Sequence, residues 1–432
     1  MTHLNFPIQY ALQSLSTGKI FADTGWLLDA PGEETPALIR AIYENKQLKL
    51  DDDSTGLYRF ASWLPVNRRL SGSSAPVTYK SLGLAAHLGL KNLFITFSGY
   101  WPEIGANMTS CSFKETEAYS VCARLDPKQK QVLVVASAGN TARAFARVCS
   151  DNNIPLLLCV PQDYIHALWF DSPLDSCVKL LVTEPGSDYF DVIHLSGLIC
   201  KMDGFVAEGG AKNVARRDGM GTTMLSATTF IGRIPDLYFQ AVGSGTGAIA
   251  AWEANLRLIE DGRFGSHKMK LLVSQNEPFV PIYDAWKAGS RQMLPYNDDQ
   301  ARRDIEQIDA KVLSNRKPPY PIIGGLFDAL SDTDGDVLKV SNAEANEAAR
   351  LFEQTEGNDL HPAAAVATAS LIQAVRQQTI DKDSVIMLNI TGGGEEKFKA
   401  GRSLFYLKPM AVSKVSPDLN EVEAIIGKLN WH

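Results

Sequence analysis

Four stretches of this chain combine residue types that can do chemistry. In Asn107 to Tyr119, NMTSCSFKETEAY, Lys114 follows small hydroxyl and thiol residues and stands beside Phe113. Two readings fit that neighbourhood: the lysine stem packs on Phe113 while its charge reaches water, or the amine is held inside. Desolvation would then lower its pKa and make it a nucleophile able to form a Schiff base. In AVGSGTGAIAAWE, the run Gly243, Ser244, Gly245, Thr246, Gly247 lies between an apolar strand pattern and a helix start. Glycines there let backbone N–H groups converge on an anion at the positive end of a helix, which suits a phosphate. A plain tight turn is the alternative, because the spacing matches neither the dinucleotide fingerprint nor a Walker A loop.

The third stretch, SAGNTARAFA, places Ser137, Ala138, Gly139, Asn140 and Thr141 at another strand-to-helix loop. Its N–H groups can hold a carboxylate while Asn140 offers its amide to a neighbouring oxygen, or the cluster is simply an N-cap. In the fourth, NITGGGEEKF, Thr391 precedes three glycines at the end of an apolar run. Ligands of α/β folds gather beyond the carboxyl ends of parallel strands, so this hydroxyl can meet a bound ring unless the segment is only a turn. The seven histidines have no metal-ligand spacing, and the six cysteines form no CxxC pair, so no metal site is expected. DALSDTDGD falls short of a calcium loop, because its glycine comes one position early and no closing glutamate follows.

These residues need strands and helices to position them, and the pattern supplies both. Gln131 to Pro161 reads as strand, loop, helix, turn, strand: Val132 to Val135 is unalternating, as in a strand buried on both faces, and Phe145, Val148 and Cys149 recur at helical spacing. Asp236 to Gly265 repeats the plan, with a strand to Val242 and a helix ending near Gly262; KLLVSQN and Ser384 to Ile390 add further strands. The expectation is an α/β fold with helices over mostly parallel sheets. Ser341 to Glu344 forms a capping box for a helix that stops at Gly357, and Pro362 opens another in its first turn. The polar, then proline-rich stretch Asn297 to Tyr320 reads as an excursion.

Composition excludes several classes. A net charge of −7 offers nothing to a nucleic acid, so the expected partners are small molecules. No run of about 18 apolar residues points to a membrane span. The N-terminus lacks the basic and apolar regions of a secretory signal, and a reducing cytoplasm is the expected location.

The order of these motifs, S-F-K, then S-x-G-N-T, then G-S-G-T-G, resembles that of fold-type II pyridoxal-phosphate enzymes of the threonine synthase and cysteine synthase group. SGYWPE, CSFKE, EGGAKNVARRDGMGT, AWEANLRL, EDGRFGS and PFVPIYDAW narrow the resemblance to cysteate synthases, from about Gly56 to about Gly394. The resemblance implies a tryptophan synthase β-like architecture of two three-layer α/β domains with the active site between them. Residues 1–110 and 237–432 would form the larger domain, with 1–50 as an N-terminal extension, and 111–236 the smaller. It implies that Lys114 carries pyridoxal 5'-phosphate and acts as general base. Gly243 to Gly247 would bind the cofactor phosphate, Asn140 the ring 3'-oxygen, and Thr391 would face the pyridine nitrogen. Ser137, Ala138, Gly139 and Thr141 would hold the substrate carboxylate, and Asn213 and Arg216 the substrate phosphate, with Lys212 and Arg217 as surface charges. The implied reaction is β-replacement of O-phospho-L-serine by sulfite to give L-cysteate and phosphate, in a homodimer. Threonine synthase, or a synthase using another nucleophile, is the near alternative; a nucleotide-binding regulatory module with a structural Lys114 is the distant one. Relatives often begin with a cysteine-bearing segment, whereas residues 1–50 here contain no cysteine, so no metal role is expected there.

Overall fold

Two parallel sheets carry the chain. The computed structural model describes residues 6–137 and 139–429. The larger sheet runs Asp336–Val340, Lys270–Asn276, Leu237–Ala241, Val385–Ile390, Asn92–Phe97 and Val77–Lys80, all parallel except the last pair. The smaller, fully parallel sheet runs Phe205–Ala207, Val132–Ala136, Leu156–Pro161, Val178–Thr183 and Ala411–Ser413. Its central strands are buried on both faces, as their unbroken apolar composition requires. The strand Ala411–Ser413 brings the C-terminal part of the chain onto the sheet built otherwise from residues 132–207.

Sequence signals mark the helix ends. The capping box closes at Ser341 and Glu344, the same helix stops at a left-handed Gly357, and Pro362 occupies the first turn of Pro362–Arg376. That helix packs on the larger sheet, and Val214–Ile231 and Thr246–Asp261 pack on each other. The helix Lys114–Arg124 lies between the two halves, against Val214–Ile231 and against Asn140–Asp151. Its first residue, Lys114, therefore faces the cleft.

The N-terminal segment forms a small antiparallel sheet of Ile20–Phe21, Tyr10–Ser14 and Ile39–Tyr43. Arg217, expected at the surface, is instead fully buried beneath it. Its Nε donates to Glu253 at 2.9 Å, and its other nitrogens donate to the carbonyls of Ala211 and Ile39. A guanidinium so deep is tolerable only with this full set of partners. Lys212 does lie at the surface, paired with Asp29 at 2.7 Å. The stretch Asn297 to Tyr320 folds as a helix, Asp298–Gln307, and a short turn, Lys311–Leu313, with Asn297 capping the former. Among the described residues no group of histidine, cysteine or acidic side chains could hold a metal, and no helix is long and apolar enough to cross a membrane.

Candidate active site

The carboxyl ends of three strands define the site. Val132–Ala136 leads into the Asn140 helix, Leu237–Ala241 into the Thr246 helix, and Val385–Ile390 into Thr391. The glycines after Thr391 pair with the segment before the lysine: Phe113 N donates to Thr391 O at 2.9 Å and Gly393 N to Cys111 O at 3.1 Å. This contact fixes Lys114 relative to the larger sheet.

Two adjoining cavities share Lys114, Asn140, Ser244 and Val312. The first, of about 70 Å³, is lined by Gly243 to Gly247, Thr391, Gln240 and His361. The second, of about 90 Å³, is lined by Ser137, Gly139, Thr141, Tyr189, Arg216 and the overlying Lys311 to Asn315 segment. Of the residues expected from the sequence, Lys114, Asn140, the Gly243 to Gly247 loop and Thr391 line the first cavity, and Ser137, Gly139, Thr141 and Arg216 the second. Ala138 lies outside the described residues.

Each cavity ends on a helix N-terminus. Gly245, in the left-handed region at φ +78°, caps Thr246–Asp261 with no side-chain hydrogen bond to the helix. Thr246 N donates to Ser244 Oγ at 3.3 Å, and the first-turn N–H groups after it are open to a ligand, the arrangement that binds anions. A Cβ on Gly247 would stand 2.6 Å from Gln240 Nε2, 3.0 Å from Phe113 and 3.2 Å from Met220. At Asn140–Asp151, Ser137 Oγ accepts from Gly139 N and Ala142 N, both at 3.1 Å, and shapes the loop from within. Asn140 is held on two sides: its Oδ1 accepts from Arg143 at 3.0 Å and its Nδ2 lies 3.2 Å from His361 Nε2. Burial, reinforced by the nearby Arg143 guanidinium, pushes the His361 imidazole down to about 4, so it is neutral at physiological pH. No role was expected for any histidine; the only sequence signal at His361 was its place before Pro362, at a helix start.

Lys114 sits at the junction with its side chain 19% exposed. Its Nζ is 3.3 Å from Glu117 Oε2 and 5.0 Å from the Phe113 ring centre. Burial lowers its pKa; the Glu117 carboxylate opposes the shift and the Arg216 guanidinium adds to it. The amine lies over Phe113 and lines a cavity beside a buried carboxylate, and is not carried out to water.

The expected pair Asn213 and Arg216 separates. Asn213 is fully buried as the cap of Val214–Ile231, its Oδ1 accepting from Ala215 N at 3.0 Å and from Arg124 at 2.9 Å, and it does not line the cavity. Arg216 does line it, but Nη1 donates to Glu208 at 2.6 Å and Nε stands 3.2 Å from Glu117. Two carboxylates already neutralise this guanidinium.

Comparison with known proteins accords with this geometry. Residues 105–392 match the model of the family described as "Pyridoxal-phosphate dependent enzyme". A cysteate synthase of Methanosarcina acetivorans is 50% identical over 90% of this chain and 94% of its own. That of Methanosarcina barkeri is 48% identical over 90% and 93%, and that of Methanocella paludicola 50% over 91% and 92%. Among solved structures, maize serine racemase aligns with a TM-score of 0.56 at 16% identity, over 74% of this chain and 88% of that one. Threonine deaminase isoform 2 from Solanum lycopersicum aligns at 0.53 and 16%, over 85% and 97%. The fold is that of the fold-type II pyridoxal-phosphate enzymes, and the chain belongs to the pyridoxal-phosphate dependent enzyme family. Within that family it falls among the cysteate synthases.

The residues fit the cofactor on chemical grounds: an uncapped helix start for its phosphate, a desolvated lysine for its aldehyde and a hydroxyl at Thr391 across the same cavity. The cradle has no room for a methyl at Gly247. Gly247→Ala is expected to cost about 1–3 kcal/mol of cofactor affinity through overpacking. Spectrophotometric titration with pyridoxal phosphate measures this, and wild-type affinity in the variant would show that the cradle is looser than it is drawn.

Proposed function

We propose that the protein is a cysteate synthase that replaces the phosphate of O-phospho-L-serine with sulfite, giving L-cysteate and inorganic phosphate. The observation that carries this reading is the near-half identity to cysteate synthases over nine-tenths of the chain. Its geometric support is a lysine set between two anion-binding helix starts. When bound, pyridoxal phosphate supplies an electron sink for the charge that develops at Cα. Lys114 holds the cofactor at rest and, once released, takes the Cα proton. The phosphate then departs with the Cβ–O electron pair, sulfite forms the Cβ–S bond, and Lys114 returns the proton to Cα, so each turn ends with the amine as it began.

Other residues orient these events. The N–H groups of Gly243 to Gly247 would hold the cofactor phosphate, Asn140 would bond the ring oxygen, and Thr391 would offer a neutral hydroxyl to the ring nitrogen. A hydroxyl does not enforce ring protonation, which favours prompt loss of the leaving group. Ser137, Gly139 and Thr141 receive the substrate carboxylate at the Asn140 helix. For the substrate phosphate, Lys311 and the Asn315 amide offer donors on the far wall, where the Ser314 hydroxyl is taken up by the Lys311 carbonyl at 2.6 Å. Two protons of the Lys311 ammonium go to the carbonyls of Ile305 and Glu306, at 2.9 and 2.6 Å, leaving one for a ligand. Asn213 has no part in that contact.

A homodimer and a cytoplasmic location complete the proposal, the first by resemblance. Supplying O-phosphoserine and sulfite together should yield cysteate and one equivalent of phosphate, read by mass spectrometry and phosphate release. Threonine formed from O-phosphohomoserine, with no cysteate, would overturn the choice of substrates.

A further inference from the structure

The cleft holds a charge cluster that the reaction as described leaves unused. Glu117, one turn after Lys114, is fully buried, with Oε2 3.3 Å from Lys114 Nζ and 3.2 Å from Arg216 Nε. Arg216 in turn bonds Glu208 at 2.6 Å. The second carboxylate oxygens of both Glu117 and Glu208 are buried without a hydrogen-bond partner. Glu117 Oε2 is shared between the Lys114 amine and the Arg216 guanidinium, so its pairing is not spent on Arg216 alone. The arrangement keeps a carboxylate beside the one amine that must alternate between bonded and free.

We propose that Glu117 is a positioning residue for Lys114: it receives the amine when the amino acid displaces it from the cofactor, and it supplies the counter-charge when that amine carries the Cα proton. Arg216, fixed by Glu208, keeps Glu117 aimed at the amine, and so acts on the reaction through Glu117. Beside an amine whose pKa burial lowers, the Glu117 carboxylate favours the protonated form while the Arg216 guanidinium works against it. The other groups facing Lys114 do not substitute for this carboxylate. Tyr189 is a phenol kept protonated by burial, His361 is neutral, and Lys311 on the covering segment has the wrong sign. The inference rests on Lys114 being the cofactor lysine and not on which substrates are used.

The test is a pH titration of the holoenzyme's visible band, which follows protonation of the Lys114 nitrogen joined to the cofactor, in wild type, Glu117→Gln and Glu117→Asp. Removing the carboxylate destabilises the cationic form, so the Gln variant should titrate about one pH unit or more lower, with the Asp variant between the two. In turnover, kcat should fall about tenfold or more for Gln, with partial rescue by Asp and little change in KM for the amino acid. Should Glu117→Gln fail to fold, Glu117→Asp carries the test: it leaves Arg216 paired with Glu208, draws the carboxylate back from the amine, and should still titrate below the wild type. A titration identical to wild type in a folded variant would overturn the proposal, as would a raised KM with kcat unchanged. A shifted titration in a protein that makes no cysteate would instead refute the substrate assignment and leave this inference standing.

Discussion

Lys114→Ala is expected to yield a folded, colourless protein that has lost about three orders of magnitude or more of its activity, the scale of an absent general base. Two separate losses combine in this variant. No amine remains to bond the cofactor aldehyde, so the visible band that borohydride abolishes in the wild type should never form. Cofactor held only by its phosphate at the Gly245 helix start would still accept an amino acid, but no neighbouring base would take the Cα proton. Folding should be little affected, since an amine that is costly to bury is removed and Glu117 keeps Arg216 as a partner. Denaturant midpoints for the two proteins should therefore lie close together while absorbance and turnover diverge. A variant that retains the band would show that another amine carries the cofactor and would remove the basis of the mechanism.

How much of this site could be read from the sequence depended on whether a residue's role is local. The two strand–loop–helix units were legible because unbroken apolar runs and glycine punctuation are local signals, and the loops they create lie where a parallel sheet places ligands. Gly243 to Gly247, Asn140 and Thr391 therefore fall on the walls expected of them. Residues whose role depends on distant partners were misread or missed. Arg217 looked like one more charge in KNVARRDGMGT, and nothing local reveals that Glu253 and the carbonyl of Ile39 wait for it inside. Asn213 carried a motif-level expectation of phosphate contact, yet the helix start there consumes its side chain as a cap. The covering segment Lys311 to Asn315 was read as an excursion because its polarity gives no sign that it closes a cavity. Glu117 stood in plain view three residues after Lys114. Helical spacing puts the two on one face, but only the placement of Arg216 and Glu208 around it suggests more than a surface pair.

Glu253→Gln should be among the most destabilising single changes in the chain, by about 3–5 kcal/mol, because it strands buried positive charge. Glu253 lies inside the Thr246–Asp261 helix at 1% exposure, with Arg217 Nε at 2.9 Å on one oxygen and Arg40 Nε at 3.2 Å on the other. Burial alone would raise its pKa, but Arg217, Arg40 and Arg257 together hold the carboxyl below its usual value. The sign of the pH effect follows. A depressed folded-state pKa contributes stability that is present above the unfolded value of about 4.3 and is lost as pH falls through the folded one. The gap between wild type and variant should thus be widest at neutral pH and narrow in acid, where both lack the charge. Guanidinium melts at several pH values measure it, with an unchanged slope marking a true stability change. Removing both partners with apolar residues of similar volume, Glu253→Leu with Arg217→Met, should recover part of the loss, although Arg40 would still lack its carboxylate. Because this helix begins at the Gly245 cradle, loosening its middle should also weaken cofactor retention before the chain unfolds. A near-neutral Glu253→Gln would mean that water reaches the cluster, and the N-terminal sheet would then owe its attachment to apolar packing and to its other polar ties, such as Tyr43 to Asp218.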